Sequence, residues 1–331
     1  MNSNNFYKAF LPWLVLLFLL VTDLFFSRES GWYFPNFFNT QSIPEWFGEF
    51  RFPRVLSAVF AGMALSISGL VLQTLFRNPL AGPYLTGITP GASFAIALLL
   101  LGVPAGIQHP VLQNLGITGA GMAGGILVLL LQLYIHKKRG GIFTLLLTGV
   151  MFGYLLSAGS EILQTLASAG QVKSFVMWGM GNFDRVKMEQ LNWFLPLILF
   201  GIAWIYLLRF QLDAWIPGDM YAQNAGISVP KLRFKIILIA GILAGSTTAL
   251  CGPIGFVGLA APHLARILGN TGTHHKLMLP TMLWGAILCL AADILAHHLF
   301  KDITLNVNAI CAIIGAPVVL YVLLRNKFGN Q

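Results

Sequence analysis

Apolar residues in this chain fall in repeated runs of about 20, the length at which an α-helix crosses the ~30 Å hydrocarbon core of a bilayer. Only 9% of the residues are charged, against roughly 25% in an ordinary soluble domain. A water-soluble globular fold is excluded on that ground. Set against the breakers between them, the runs predict ten helices, at about 9–26, 54–76, 86–103, 111–135, 142–168, 191–210, 234–251, 254–268, 277–299 and 303–324. The 254–268 run is short and follows Cys251-Gly252-Pro253 directly, so it reads either as a span or as a re-entrant element buried in protein. The first run is followed by Ser27-Arg28-Glu29-Ser30 rather than by a small-residue cleavage site, which predicts a retained span. The fold class is all-α: a polytopic membrane protein with about ten transmembrane helices, in a single domain over 1–331.

Charge sets the orientation. With the N-terminus in the cytoplasm, thirteen of the 20 Lys and Arg fall in inner loops and helix ends and seven in outer ones. The positive-inside bias then predicts a plasma-membrane protein with both termini cytoplasmic. The net charge of +9 is explained by these short clusters, so no nucleic-acid partner is expected. Cys251, Cys289 and Cys311 sit singly in apolar stretches, which suggests neither a disulfide framework nor a zinc site. No metal, cofactor or catalytic residue is expected.

Ionisable residues within a span mark ion pathways, because each costs at least ~2.5 kcal/mol in hydrocarbon. Here Asp23, Glu161 and Asp293 all lie toward outer helix ends, where an interfacial or loop-capping role suffices, and no midplane relay is seen. No GxxxxGK[ST] phosphate loop occurs either, so energy for uphill transport must come from a partner. The small residues of Ala61-Gly62-x-Ala64-x-Ser66-x-Ser68-Gly69 and Ala240-Gly241-x-x-Ala244-Gly245-Ser246-Thr247-Thr248 suit either close helix packing or the lining of a wide path. Ala-Gly-x6-Gly-x9-Pro occurs at Ala61, Gly62, Gly69 and Pro79 and again at Ala244, Gly245, Gly252 and Pro262. That spacing, in spans of opposite direction, is either chance or the trace of an inverted repeat. The scattered histidines, His297-His298 included, read as structural. On the inner side, Asp219 is expected to N-cap a short helix closed by Gly226, within a coupling segment of about 211–234.

Together these residues resemble a known family, the permease subunits of ATP-binding-cassette (ABC) importers for iron–siderophore complexes, haem and vitamin B12. The likeness runs in order from Arg51-Phe52-Pro53-Arg54 through Ala61-Gly62, Ser68-Gly69, Gln73 and Phe76-Arg77-Asn78-Pro79-Leu80-Ala81-x-Pro83. It continues with Gly87, Gly91-Ala92, Leu145-Leu146-Leu147-x-Gly149, Trp178-x-Met180-Gly181 and Gly218-Asp219-x-x-Ala222. It ends with Gly255-Phe256-x-Gly258-Leu259-x-x-Pro262-His263-x-x-Arg266, Asp293 and Gly315-Ala316-Pro317.

The resemblance implies a BtuC-like permease fold of ten helices. It also implies a homodimer surrounded by membrane lipid, two ATP-hydrolysing subunits beneath, and a substrate-binding protein outside. ATP hydrolysis would lie on the separate subunits, so this chain is not itself an enzyme. Carried over by position, Arg51 and Arg54 would meet acidic residues of the binding protein, charge complementarity that orients docking. Asn78, Leu80, Ile142 and Phe143 match the family's cytoplasmic gate, while Asp219, Ala222 and Gly226 match its ATPase-coupling helix. The chain departs from the pattern at Thr304-Leu305-Asn306-Val307-Asn308, where the family shows Glu-Leu-Pro-x-Gly, and at Ala225, where it shows Leu. His297 replaces an arginine of some members, and Lys301 is the candidate to restore that outer contact. A self-contained ion-coupled carrier or channel is the alternative that composition alone allows; it calls for midplane charges or a selectivity motif, and neither is present.

Overall fold

The computed structural model describes residues 3–27, 31–32, 44, 46–102, 110–139, 142–269, 272–299 and 304–328. Twelve α-helices lie among them: α1 (Ser3–Phe25), α2 (Phe52–Leu75), α3 (Ile88–Gly102), α4 (Pro110–Arg139), α5 (Ile142–Leu166), α6 (Ala169–Gly179), α7 (Met188–Trp215), α8 (Asp219–Asn224), α9 (Val229–Cys251), α10 (Val257–Gly269), α11 (His274–His298) and α12 (Val307–Phe328). The only strand pairing among the described residues is a two-residue antiparallel bridge of Phe26–Ser27 with Gly31–Trp32. Each apolar run of the sequence is a helix, and α6 and α8 are additional. The short helix expected at Asp219 is α8. α6 carries a local signal of its own, a Ser-x-x-Gln box in which the Ser168 N–H donates to Gln171 Oε1 at 3.1 Å.

Phe47–Leu75, Gly116–Ile135, Met188–Trp215, Val229–Cys251 and His274–His298 are each long and apolar enough to cross a membrane. The 13 residues of α10 reach only about 20 Å at 1.5 Å per residue. Yet α10 leads from the Cys251 end of α9, beside Asn182, to the end of the bundle where Arg266 meets Gln73, so the segment is a short crossing with a non-helical entry rather than a re-entrant loop. After Cys251 the chain turns through Gly252 at φ 76° and Phe256 at φ 63°. The Gly255 N–H then donates to Asn308 Oδ1 at 2.8 Å. Irregular backbone is tolerated there because a protein side chain replaces the missing water. At the other end of α10's partner helices, Asp213 of α7 caps α11 by accepting from the His274 N–H and from His275 Nδ1 at 2.9 Å, which satisfies donors that a helix start leaves open.

The packing repeats itself. α2 lies on α11 as α9 lies on α4; α3 lies on α4 and α5 as α10 lies on α11 and α12; α2 meets α10 as α9 meets α3. Exchanging α2–α5 with α9–α12 leaves this pattern unchanged, and α9 runs opposite to α2, so the two sets form an inverted pair. The paired Ala-Gly steps fall on equivalent crossings: Gly62 faces the Gly285 backbone of α11, and Gly245 faces the Gly121 backbone of α4. The final prolines do not correspond, since Pro79 lies in a loop and Pro262 inside α10. Ser66, Ser68, Ser246 and Thr247 are fully buried, and Ser68 Oγ donates to the Ala240 carbonyl at 3.2 Å. In this chain those small residues serve close packing.

A Cβ at Gly62 would overlap the Gly285 carbonyl, so a methyl group there must force backbone apart. Gly62→Ala is expected to lower stability by about 1–3 kcal/mol, the usual cost of overpacking, whereas Gly170→Ala, where a Cβ meets nothing within 4 Å, should leave the detergent-solubilised melting midpoint unchanged.

Candidate functional site

Charged residues gather at two ends of the bundle. At the α8 end, α2 stops with the Asn78 N–H bonded to the Gln73 carbonyl at 3.0 Å and the Arg77 N–H bonded to that of Thr74 at 3.2 Å. Arg77 adopts φ 46°, a left-handed closure that favours glycine by 1–2 kcal/mol. An arginine stands there because its guanidinium pairs with the Asp219 carboxylate. Asp219 also accepts from Trp215 Nε1 at 2.8 Å and from Arg233 at 2.5 Å. It is the first residue of α8, Gly218 is the N-cap, and no side chain caps the helix. The expected N-cap role of Asp219 is thus replaced: three side-chain donors, from the turn after α2, from α7 and from α9, engage the carboxylate instead of the α8 amides. Burial works to raise the Asp219 pKa, but the Trp215 hydrogen bond and the Arg233 and Arg77 charges outweigh it and hold it below 3.8.

Gly226 closes α8 as expected, at φ 80°, with the Ile227 N–H bonded to the Ala222 carbonyl at 2.9 Å. Ala222 is placed differently from the reading that puts it on a docking surface. It is 0% exposed and belongs to the core, because the one inward position of so short a helix needs a small side chain. The outward residues, which the sequence reading passed over, are Met220 at 80% and Tyr221 at 58% exposure. Their signal was available as two large apolar side chains in an otherwise polar connector.

Beside α8 runs the loop from Phe76 to Gly87. Asn78 Oδ1 accepts the Leu80 N–H at 2.8 Å, and His263 Nε2 donates to the Pro79 carbonyl at 2.8 Å, so the loop has a fixed shape against α10. Leu80 is half-buried against the core. Ile142 opens α5; the side chains of Ile142 and Phe143 lie outside the described residues.

At the opposite end, Arg54 is the hub. Its guanidinium lies 2.9 Å from Asp23, 3.0 Å from Asp293 and 3.7 Å from Asp184, with the arginine side chain only 12% exposed. His297 joins through Nε2 to Asp184 at 2.9 Å and Nδ1 to the Asp293 carbonyl oxygen at 2.9 Å. Asp23 and Asp293, read from the sequence as interfacial or loop-capping, are fully buried ion partners. Removing the cation from such a group typically costs about 3–5 kcal/mol, since it strands buried carboxylates. Arg51 is also buried, its guanidinium donating to the Phe26 carbonyl and lying 5.7 Å from the Trp46 ring. Neither arginine holds the free outward charge that the sequence reading pictured. Burial would raise the Asp184 pKa, yet its hydrogen bond from His297 and the Arg54 charge hold it below the ordinary range. Lys301 lies outside the described residues.

The family model of the FecCD transport family matches residues 10–325. The chain belongs to that family. FecCD permeases similar to it include the hemin transport system permease HmuU of Yersinia pestis, 33% identical over 84% of this chain and 82% of that protein. Another is the vitamin B12 import system permease BtuC of Klebsiella pneumoniae, 31% identical over 94% of this chain and 93% of its own. Among solved structures, an inward-facing metal-chelate type ABC transporter superposes with a TM-score of 0.80 at 29% identity, covering 98% of this chain and 99% of its own. The chain is accordingly a multi-pass membrane permease of the ABC importer class. Among the described residues no group of three His, Cys, Asp or Glu is arranged to hold a metal ion.

The depressed Asp219 pKa gives a pH test with a definite sign. A carboxylate whose folded pKa is lowered contributes stability that is complete above its unfolded value and is lost as pH falls through the folded one. The α8 latch should therefore stay closed through neutral and mildly acidic pH and open only in the acid range below the ordinary carboxylate pKa. The tryptophan emission that Trp215→Phe removes should shift over that acid range, and Asp219→Asn should abolish the step; an unchanged titration would separate the latch from Asp219.

Proposed function

We propose that this FecCD permease works as a homodimer in the plasma membrane, with two ATP-hydrolysing subunits docked at the α8 end and a substrate-binding protein at the opposite end. The cargo is an iron chelate, haem or a cobalamin. The reading is supported by the cargo classes of the relatives and by the direction of the helices: α1 begins and α12 ends at the α8 end, where the basic loops cluster, in keeping with cytoplasmic termini.

The observation that carries the mechanism is the Arg77–Asp219 pair. Asp219 opens the helix that faces an ATPase, with Met220 and Tyr221 as the outward contacts and Ala222 and Gly226 setting its seat and its end. Arg77 heads the loop that holds Asn78 and Leu80, which with Ile142 and Phe143 form the inner gate. A displacement of α8 driven by ATP is thereby transmitted to the gate through two ion pairs and one indole hydrogen bond on the same carboxylate. Reconstituted with its ATPase and binding protein, the transporter should import cargo only with ATP. Arg77→Ala should keep ATP hydrolysis while uncoupling it from uptake. Import by this chain alone, or full coupling in the variant, would overturn the mechanism.

At the other end, docking is assigned to the rim around Arg54, His297 and Lys301, with Arg51 anchoring the start of α2. Asp184 is the most exposed member of the Arg54 cluster, at 39%, so an incoming carboxylate reaches the arginine by displacing it. Asp184→Asn, which weakens the internal competitor, should then tighten the complex with the binding protein, most at low salt. Unchanged affinity would reduce Arg54 to an internal brace.

A further inference from the structure

Between the end of α2, the α7–α8 corner and α10 lies an open cavity of about 390 Å³, bordered by Gln73, Arg77, Trp215, His263, Arg266 and His274 among others. Its polar groups are unequally served. His274 is engaged on both ring nitrogens, by Asp213 at 2.9 Å and Thr74 at 2.7 Å, and His263 is held by Pro79. Arg266 donates to Gln73 Oε1 at 2.7 Å, and among the described residues no carboxylate lies within ion-pair distance of it. A guanidinium has no acceptor to offer, so it fixes the amide with its oxygen toward Arg266 and its NH2 group turned away. That NH2 group, on a residue 4% exposed, is buried with no hydrogen-bond partner.

A buried donor left unmade is costly and marks a missing acceptor. Here the Arg266 guanidinium, with no carboxylate partner, borders the cavity and is held from behind by the enclosed Gln73 amide. The Arg77 guanidinium, already paired on one side with Asp219, stands at its rim, and no carboxylate lines it. We propose that this cavity is a binding site for a phosphate-class oxyanion, supplied either by a soluble phosphate-bearing molecule or by the headgroup of a phospholipid. Arginine forks suit the multiple acceptor oxygens of phosphate, and the volume leaves room for the group that carries it. The inference stands apart from the transport reading, since it rests on donors without acceptors. Its position, between the loop of Asn78 and the helix of Asp219, would let an anion stiffen the contact of both.

The test uses the full chain, delipidated in detergent, titrated with inorganic phosphate against chloride at matched ionic strength. Phosphate should raise the unfolding midpoint saturably. In Arg266→Gln and in Gln73→Glu the apparent affinity should fall at least about tenfold, the scale of one charge-assisted hydrogen bond. Gln73→Glu is nearly isosteric and supplies Arg266 with a carboxylate in place, so it should fold while filling the need the anion meets. In nanodiscs of anionic phospholipid, a phosphate effect equal to that in detergent identifies a soluble ligand. Its disappearance, with one phospholipid retained per chain and lost in Gln73→Glu, identifies a headgroup. Phosphate acting no more strongly than chloride on the wild-type chain, or equally on Gln73→Glu, would overturn the site.

Discussion

Inside a hydrocarbon core a backbone N–H or C=O has no water to bond, so each must find a partner within the protein. Ten apolar helices answer most of that demand locally. The remainder arises where the chain is not helical at bilayer depth, and there the fold brings side chains to the backbone: Asn308 to Gly255, Gln132 to the Thr86 carbonyl at 2.6 Å. With hydrophobic driving force largely absent between helices in lipid, association then depends on how closely backbones approach. Gly69 on Gly258 is the tightest of these approaches, and Gly62 on Gly285 and Gly245 on Gly121 are two more that sit at corresponding places in the two inverted sets of helices. A bundle pinned at these crossings is stiff in its middle and leaves its ends as the places where change can occur.

Those ends are built alike in one respect. Each has a single charged residue that gathers partners from distant parts of the chain: Asp219 with two arginines and an indole at one, Arg54 with three carboxylates at the other. The difference is burial. Arg54 is mostly enclosed and ties α1, α2, α11 and the α6–α7 connection into one rigid corner. Asp219 is more exposed, so its contacts are weaker and more readily remade when a partner presses on α8. A brace at one end and a latch at the other is the arrangement expected of a permease whose drive arrives from one side.

Much of this was legible in the residues. Spans, their order and the short helix closed by Gly226 follow from apolar run length and from the freedom of glycine at positive φ, which are local properties of the chain. Family membership was legible for the same reason, since Arg51-Phe52-Pro53-Arg54 and Gly255-Phe256-x-Gly258 are contiguous motifs. What remained hidden was partner choice. Arg54 reads as an outward cation until Asp23 and Asp293 are seen beside it, and Asp219 reads as an N-cap until Arg77, Arg233 and Trp215 converge on it. Ala222 likewise reads as a surface residue until the rotation of α8 turns it into the core.

Run length, glycine and proline spacing and the distribution of Lys and Arg thus determined by themselves that this chain is a polytopic helical membrane protein and which way it is expected to lie, and its contiguous motifs gave the likeness to a permease family. Tertiary structure alone decided which charges are free, which are paired and which donors lack an acceptor. The physical reason is that hydrocarbon selects helices residue by residue, whereas a charge or an amide is satisfied by whatever packing brings within 3 Å or so, and the sequence separations between Gln73 and Arg266, or Arg54 and Asp293, carry no trace of that proximity.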